Sequence, residues 1–211
     1  MPASSESSHR AVPGKLRVYV PATVAMLREL VVDRELRAMN DTAFAVTPAL
    51  REAYASGDDE ELAEVAMGEA ARASLRLLAD AQAGVELRGD GEPEVVDALD
   101  PADADSPAPA APVSRRPVFR RAVIAADITD VILRPDLDDA VVRLSGPIPY
   151  DSIASVHVDL IDAEPAVAKA VDVIDAADLG DPDAEFVLGD AEDHQLAWYA
   201  TQEVPFLLDL L

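Results

Sequence analysis

Residues 84–114, GVELRGDGEPEVVDALDPADADSPAPAAPVS, decide how the rest of the chain is read. They hold five prolines (Pro93, Pro101, Pro107, Pro109, Pro112), eight acids and one base, with no apolar periodicity. Such a stretch cannot bury enough apolar surface to offset the entropy of ordering it, so it predicts a disordered acidic insert over 84–116. Patterned sequence flanks it at 15–83 and 117–211. The polar start, residues 1–14, is expected to be a disordered tail. A domain of the size that remains buries about 70% of the surface its unfolded chain exposes. The first segment alone would be marginal, so one composite domain built from both segments is expected.

Working outward from the insert, Leu16, Val18 and Val20 alternate with Arg17 and Tyr19, a strand with one face buried. Pro21 is expected to end that strand and open a helix carrying Val24, Leu27, Leu30 and Val31. Ala43 to Val46 is a short apolar run, and Thr47-Pro48 reads as a cap and first helical residue. Asp58 and Glu61 have capping-box spacing for a helix running to about Ala81, with Leu62, Val65, Ala66, Ala73 and Leu77 on one stripe. Arg72 and Arg76 lie one turn apart on it and read as an exposed ridge; an anion or carboxylate clamp is the sharper alternative.

Beyond the insert, Arg115, Arg116, Arg120 and Arg121 read as a solvated entrance to a strand over 122–128. Further strands are expected at 140–144 and 155–160, then a helix from Pro165 to about Asp178. Phe186 and Leu188 alternate, Gly189-Asp190 suggests a turn, and Leu196, Trp198 and Ala200 alternate in return, which predicts a hairpin. A helix over 191–203 is the rival reading. Pro205 starts a terminal helix. The expected class is α+β: a mixed, largely antiparallel sheet with packed helices, in one composite domain.

The chain lacks cysteine, which removes disulfides and thiolate chemistry. No apolar run reaches the ~18 residues of a membrane span, and the start lacks a hydrophobic stretch. No membrane partner is expected, and the cytoplasm is the expected compartment. Net charge is −24. Residues 122–211 carry 20 acids against three bases (Arg134, Arg143, Lys169), a surface that repels phosphate backbones. Nucleic acid is therefore not an expected partner; another protein is. The acids read first as a solubilising surface, with an acidic face recognising a basic protein as the sharper alternative.

The stretches RVYVPAT (17–23), AVTPALREAYASGDDEEL (45–62), AARASLRLL (70–78), ASVHVD (154–159) and HQLAWYATQEVPFLL (194–208) resemble a family of small actinobacterial proteins without a known activity. That resemblance spans both patterned segments and skips the insert. It implies an actinobacterial, cytoplasmic, single-domain protein.

Chemistry is sparse. Neither glycine-rich phosphate cradle nor a G-x-S-x-G elbow occurs. Asp127 follows an apolar strand, but Thr129 stands where a phosphatase-like pattern needs a second acid. It reads as a turn cap. Asp181, Asp183, Glu185 and Glu192 have calcium-loop spacing, yet Phe186 occupies the glycine position. No cofactor and no metal site is expected. Outside the tail there are two histidines, His157 and His194, too few for a three-histidine zinc site. The weak catalytic candidates are His157, His194 and Glu203, with His157 able to approach Glu203 or Asp159. The binding candidates are Tyr19, Trp198, Tyr199 and Gln202. Two functions follow: a non-enzymatic regulatory or adaptor module binding another protein, or a small-molecule-binding protein or hydrolase with a His/carboxylate site near the C-terminus.

Overall fold

The computed structural model describes residues 11–12, 14–54, 56–89 and 118–211. The expectations for residues 1–10 and 90–117, Arg115 and Arg116 included, lie outside them. In chain order the strands are β1 (Ala11–Val12), β2 (Leu16–Ala22), β3 (Glu35–Leu36), β4 (Thr42–Ala45), β5 (Ala122–Ile128), β6 (Val131–Leu133), β7 (Val141–Arg143), β8 (Ile148–Pro149), β9 (Ile153–Val158) and β10 (Ala197–Ala200). The helices are α1 (Val24–Asp33), α2 (Pro48–Ala53), α3 (Asp59–Gly89), α4 (Glu164–Asp178), α5 (Pro182–Glu192) and α6 (Val204–Leu210).

Eight strands form one sheet in the order β1-β6-β7-β4-β2-β5-β9-β10, and β3 pairs with β8 separately. Every pairing is antiparallel. The central seam is β2 against β5, in register from Leu16↔Ile128 to Ala22↔Ala122. One of these strands precedes residues 90–117 and the other follows them, so both segments build one α+β fold.

Alternation along the strands gives the sheet two apolar faces. Val18, Val20, Ala22, Ile124, Val156 and Val158 pack with Leu27 and Leu30 of α1 and Val204 and Leu207 of α6. On the opposite face Tyr19, Phe44, Val123 and Ala125 pack with Leu50 of α2 and Leu62, Ala66 and Ala70 of α3. The alanines let α3 approach the sheet closely. Farther along α3, Leu75 and Leu78 join Val167, Val171 and Ile174 of α4 and Ala184 and Leu188 of α5.

Four expectations are corrected. Pro21 does not end β2; it pairs with Val123, at a level where pairing to β4, confined to Val18 and Tyr19, has stopped. The cap of α1 is Thr23, whose hydroxyl accepts from the Met26 N–H. α3 runs past Ala81 to Gly89. No hairpin forms over 186–200. Asp181 caps α5 by accepting from the N–H groups of Asp183 and Ala184, and Pro182 occupies its first turn. Ala184, Leu188 and Ala191 form its buried stripe, leaving Phe186 exposed. Residues 197–200 are strand rather than helix, and they pair with β9.

Candidate functional site

Register places the candidate side chains row by row. Tyr19 stands opposite Ala125, Ala125 opposite Ser155, and Ser155 opposite Ala200. In the next row Pro21, Val123, His157 and Trp198 align. Both rows point to the α3 face. Ala125, opposite Ser155, carries a single methyl group, which leaves room on that side of the hydroxyl. The result is a cleft of about 230 Å³ lined by Arg17, Tyr19, Glu64, Met67, Ser155, His157 and Trp198, among others. A second cleft of about 610 Å³ adjoins it, between α3 and the segment joining α5 to β10. Glu64 and Met67 line both, and Glu69, Arg72, Glu192 and His194 line the larger.

Within the smaller cleft, the Ser155 hydroxyl lies 3.1 Å from Nε2 of His157. Burial, and secondly the Arg17 charge, hold the His157 pKa below its ordinary value of 6.5, so the ring is neutral at pH 7. Burial raises the Tyr19 pKa. Arg17 grips Asp127 through Nε–Oδ1 at 2.6 Å and Nη2–Oδ2 at 3.2 Å, and these bonds lower the Asp127 pKa. Asp127 is thus an ion-pair partner within β5 and not a turn cap.

In the larger cleft the cations are already engaged. Arg72 donates to both carboxylate oxygens of Glu185 at 2.7 and 3.2 Å and lies 3.6 Å from Glu192. Arg76 donates twice to Asp178 at 2.6 Å. The expected exposed ridge is instead a carboxylate clamp tying α3 to α4 and α5. Glu185, one of the calcium-spaced acids, is thereby an ion-pair partner on a helix. Arg121, expected to be solvated, is buried against Asp159. Glu69 is half-buried, and burial is the main reason its pKa is raised. Among the described residues no three His, Asp or Glu side chains converge as metal ligands.

A family model described as a family of unknown function (DUF6912) matches residues 16–208. The chain belongs to this family. No curated protein and no solved structure matches it. The matched span contains every residue that lines the two clefts.

The clefts thus gather Tyr19, His157, His194 and Trp198, four of the seven candidates. Tyr199 faces the opposite side of the sheet, packed against the α1/α6 core. Gln202 and Glu203 are exposed in a 3-10 turn, Thr201–Glu203, and line neither cleft. The Glu203 carboxylate accepts from the Ala200 N–H at 2.8 Å, and Asp159 is held by Arg121. Neither serves His157, because both carboxylates answer local backbone and arginine donors. Arg17, Glu64, Glu69 and Ser155 were missed in the sequence. Only Ser155 left a trace there, two residues before His157 and hence on the same strand face.

Proposed function

We propose that the chain is a non-enzymatic regulatory or adaptor module of the actinobacterial cytoplasm that binds a basic segment of another protein. The segment seats in the groove between α3 and the β9–β10 edge. One observation carries this reading: Trp198, 60% exposed, lines the smaller cleft with Glu64, and Arg17 of the same cleft is already paired with Asp127. Glu64, Glu69 and Glu192 give the groove a negative field, and an exposed indole face adds cation–π attraction for an incoming lysine or arginine. The charge that favours a basic peptide also repels nucleic acid. Among the described residues no helix is long and apolar enough to cross a membrane.

The test uses Trp198 as reporter, since it is the only tryptophan. A short Lys/Arg-rich peptide should change its fluorescence saturably, less so at high salt, and the Glu64→Gln/Glu192→Gln variant should bind several-fold more weakly. An equal response to a Glu-rich peptide of the same length overturns the proposal. A second reading, a small-molecule-binding protein or hydrolase, draws on the Ser155–His157 contact in the smaller cleft. Native mass measurement that finds one stoichiometric metabolite and no protein partner would favour it.

A further inference from the structure

Resting on the second reading, that of a small-molecule-binding protein or hydrolase, we infer that Ser155 is a nucleophile served by His157, and that the smaller cleft accepts small activated carboxylic or phosphoric esters. The pair has the geometry that such chemistry needs, with hydroxyl and imidazole nitrogen 3.1 Å apart and both lining one cleft. Their positions follow from the strand: Ser155 and His157 alternate onto the same face of β9, and Ala125 of the neighbouring strand lines the cleft beside the hydroxyl. Ser155 itself is 5% exposed, so an electrophile must enter the hollow to reach it. Tyr19 and Trp198 wall the hollow, and about 230 Å³ suits an acyl or dialkyl phosphoryl group rather than a polymer.

The charged groups also fit. The Arg17 guanidinium lines the same cleft, with Nε and one Nη2 hydrogen held by Asp127. Its remaining positive face is available to charge developing on an ester oxygen. His157 stays neutral at pH 7 and can accept the serine proton. In the step with an ester, the Ser155 oxygen bonds to the carbonyl carbon, the serine proton passes to Nε2, and the bond to the leaving alcohol breaks as that oxygen takes the proton. Among the described residues no carboxylate hydrogen-bonds to His157. The third member that orients a triad histidine is thus missing, and the expected reactivity is slow modification rather than rapid turnover.

The full chain is treated with diisopropyl fluorophosphate. Here the serine oxygen bonds to phosphorus, fluoride leaves, and the imidazolium proton passes to solvent. Intact mass should show one diisopropylphosphoryl group, and peptide mapping should place it on Ser155. Ser155→Ala should remove the adduct, His157→Gln should slow labelling about 100-fold, and Ser56→Ala should leave it unchanged. No adduct, an adduct on another residue, or an unaltered rate in His157→Gln each overturns the inference. Peptide docking fails separately: a chain that labels at Ser155 but ignores basic peptides retains this inference and loses the other.

Discussion

Arg121 and Asp159 hold each other between the start of β5 and the end of β9, with Nε–Oδ2 and Nη2–Oδ1 both at 2.8 Å. Their side chains are 3% and 0% exposed. The Arg121 N–H also donates to Oδ2, and Nη2 donates to the His194 carbonyl at 2.7 Å. One buried pair therefore joins two strands and anchors the segment that walls the larger cleft. Removing one partner strands a charge in a dry site. Asp159→Ala should cost about 3–5 kcal/mol in urea unfolding. Arg121→Met/Asp159→Leu should cost less than either single change, because it leaves no orphaned charge.

Ser74 of α3 donates to the Ala22 carbonyl at 2.7 Å and accepts from the Ala122 N–H at 3.1 Å, fully buried. It satisfies the last rung of the β2–β5 seam. Ser74→Ala leaves two backbone groups without that partner and should cost about 1–3 kcal/mol. Denaturant melts measure it.

Trp198 stands 60% exposed on the wall of the smaller cleft. Its exposure means that Trp198→Ala should cost under about 1 kcal/mol. The wild-type emission should lie near that of indole in water, and an added quencher such as acrylamide should reach it freely. A blue-shifted, quencher-resistant emission would contradict the position given to this ring.

Acidification should destabilise the fold in two steps. His157 has a depressed folded pKa, so below pH 6.5 the unfolded chain takes up a proton that the native ring resists. Stability falls from there until the folded pKa is passed, then levels. The second loss comes below about pH 3.8, as the lowered pKa values of Asp127 and Asp178 are approached and their arginine bonds break. His157→Gln should flatten the first step and leave the second, read as melting temperature against pH.

Glu69 has the opposite sign. Its raised folded pKa means the favourable contribution is complete below pH 4.5 and is lost as pH rises through the folded value. Glu69→Gln should therefore raise the melting temperature at pH 7 and give no gain at pH 4.

Much of the fold was legible locally. The alternations in β2 and β9, the apolar run of β5 and the 3.6-residue stripes of α1 and α4 can be read within a few neighbours. On α3 the expected stripe through Val65, Ala73 and Leu77 is only half-buried, and Ala70, Ser74, Leu75 and Leu78 face the core instead. Residues 182–192 were misread because Phe186/Leu188 alternation coexists with the helical spacing of Ala184, Leu188 and Ala191. Packing against α4 and the Asp181 cap decide for the helix. Short β3 and β8 carry too few residues for any period to emerge. At the site, Tyr19, His157 and Trp198 were found one by one. Their partners Glu64 and Glu69 come from a helix some ninety residues before β9 in the chain, so nothing in the sequence links them.

By itself the sequence determined the chain's −24 charge, its lack of thiol chemistry, and which residues share a face in β2, β9, α1 and α4. Those properties belong to composition and to backbone periodicity, which act over a few residues. Only the tertiary structure decided that Arg121 is buried, that Arg72 meets Glu185, and that Ala125 of β5 comes to line a hollow beside Ser155. Burial, charge pairing and concavity depend on which distant strands and helices become neighbours.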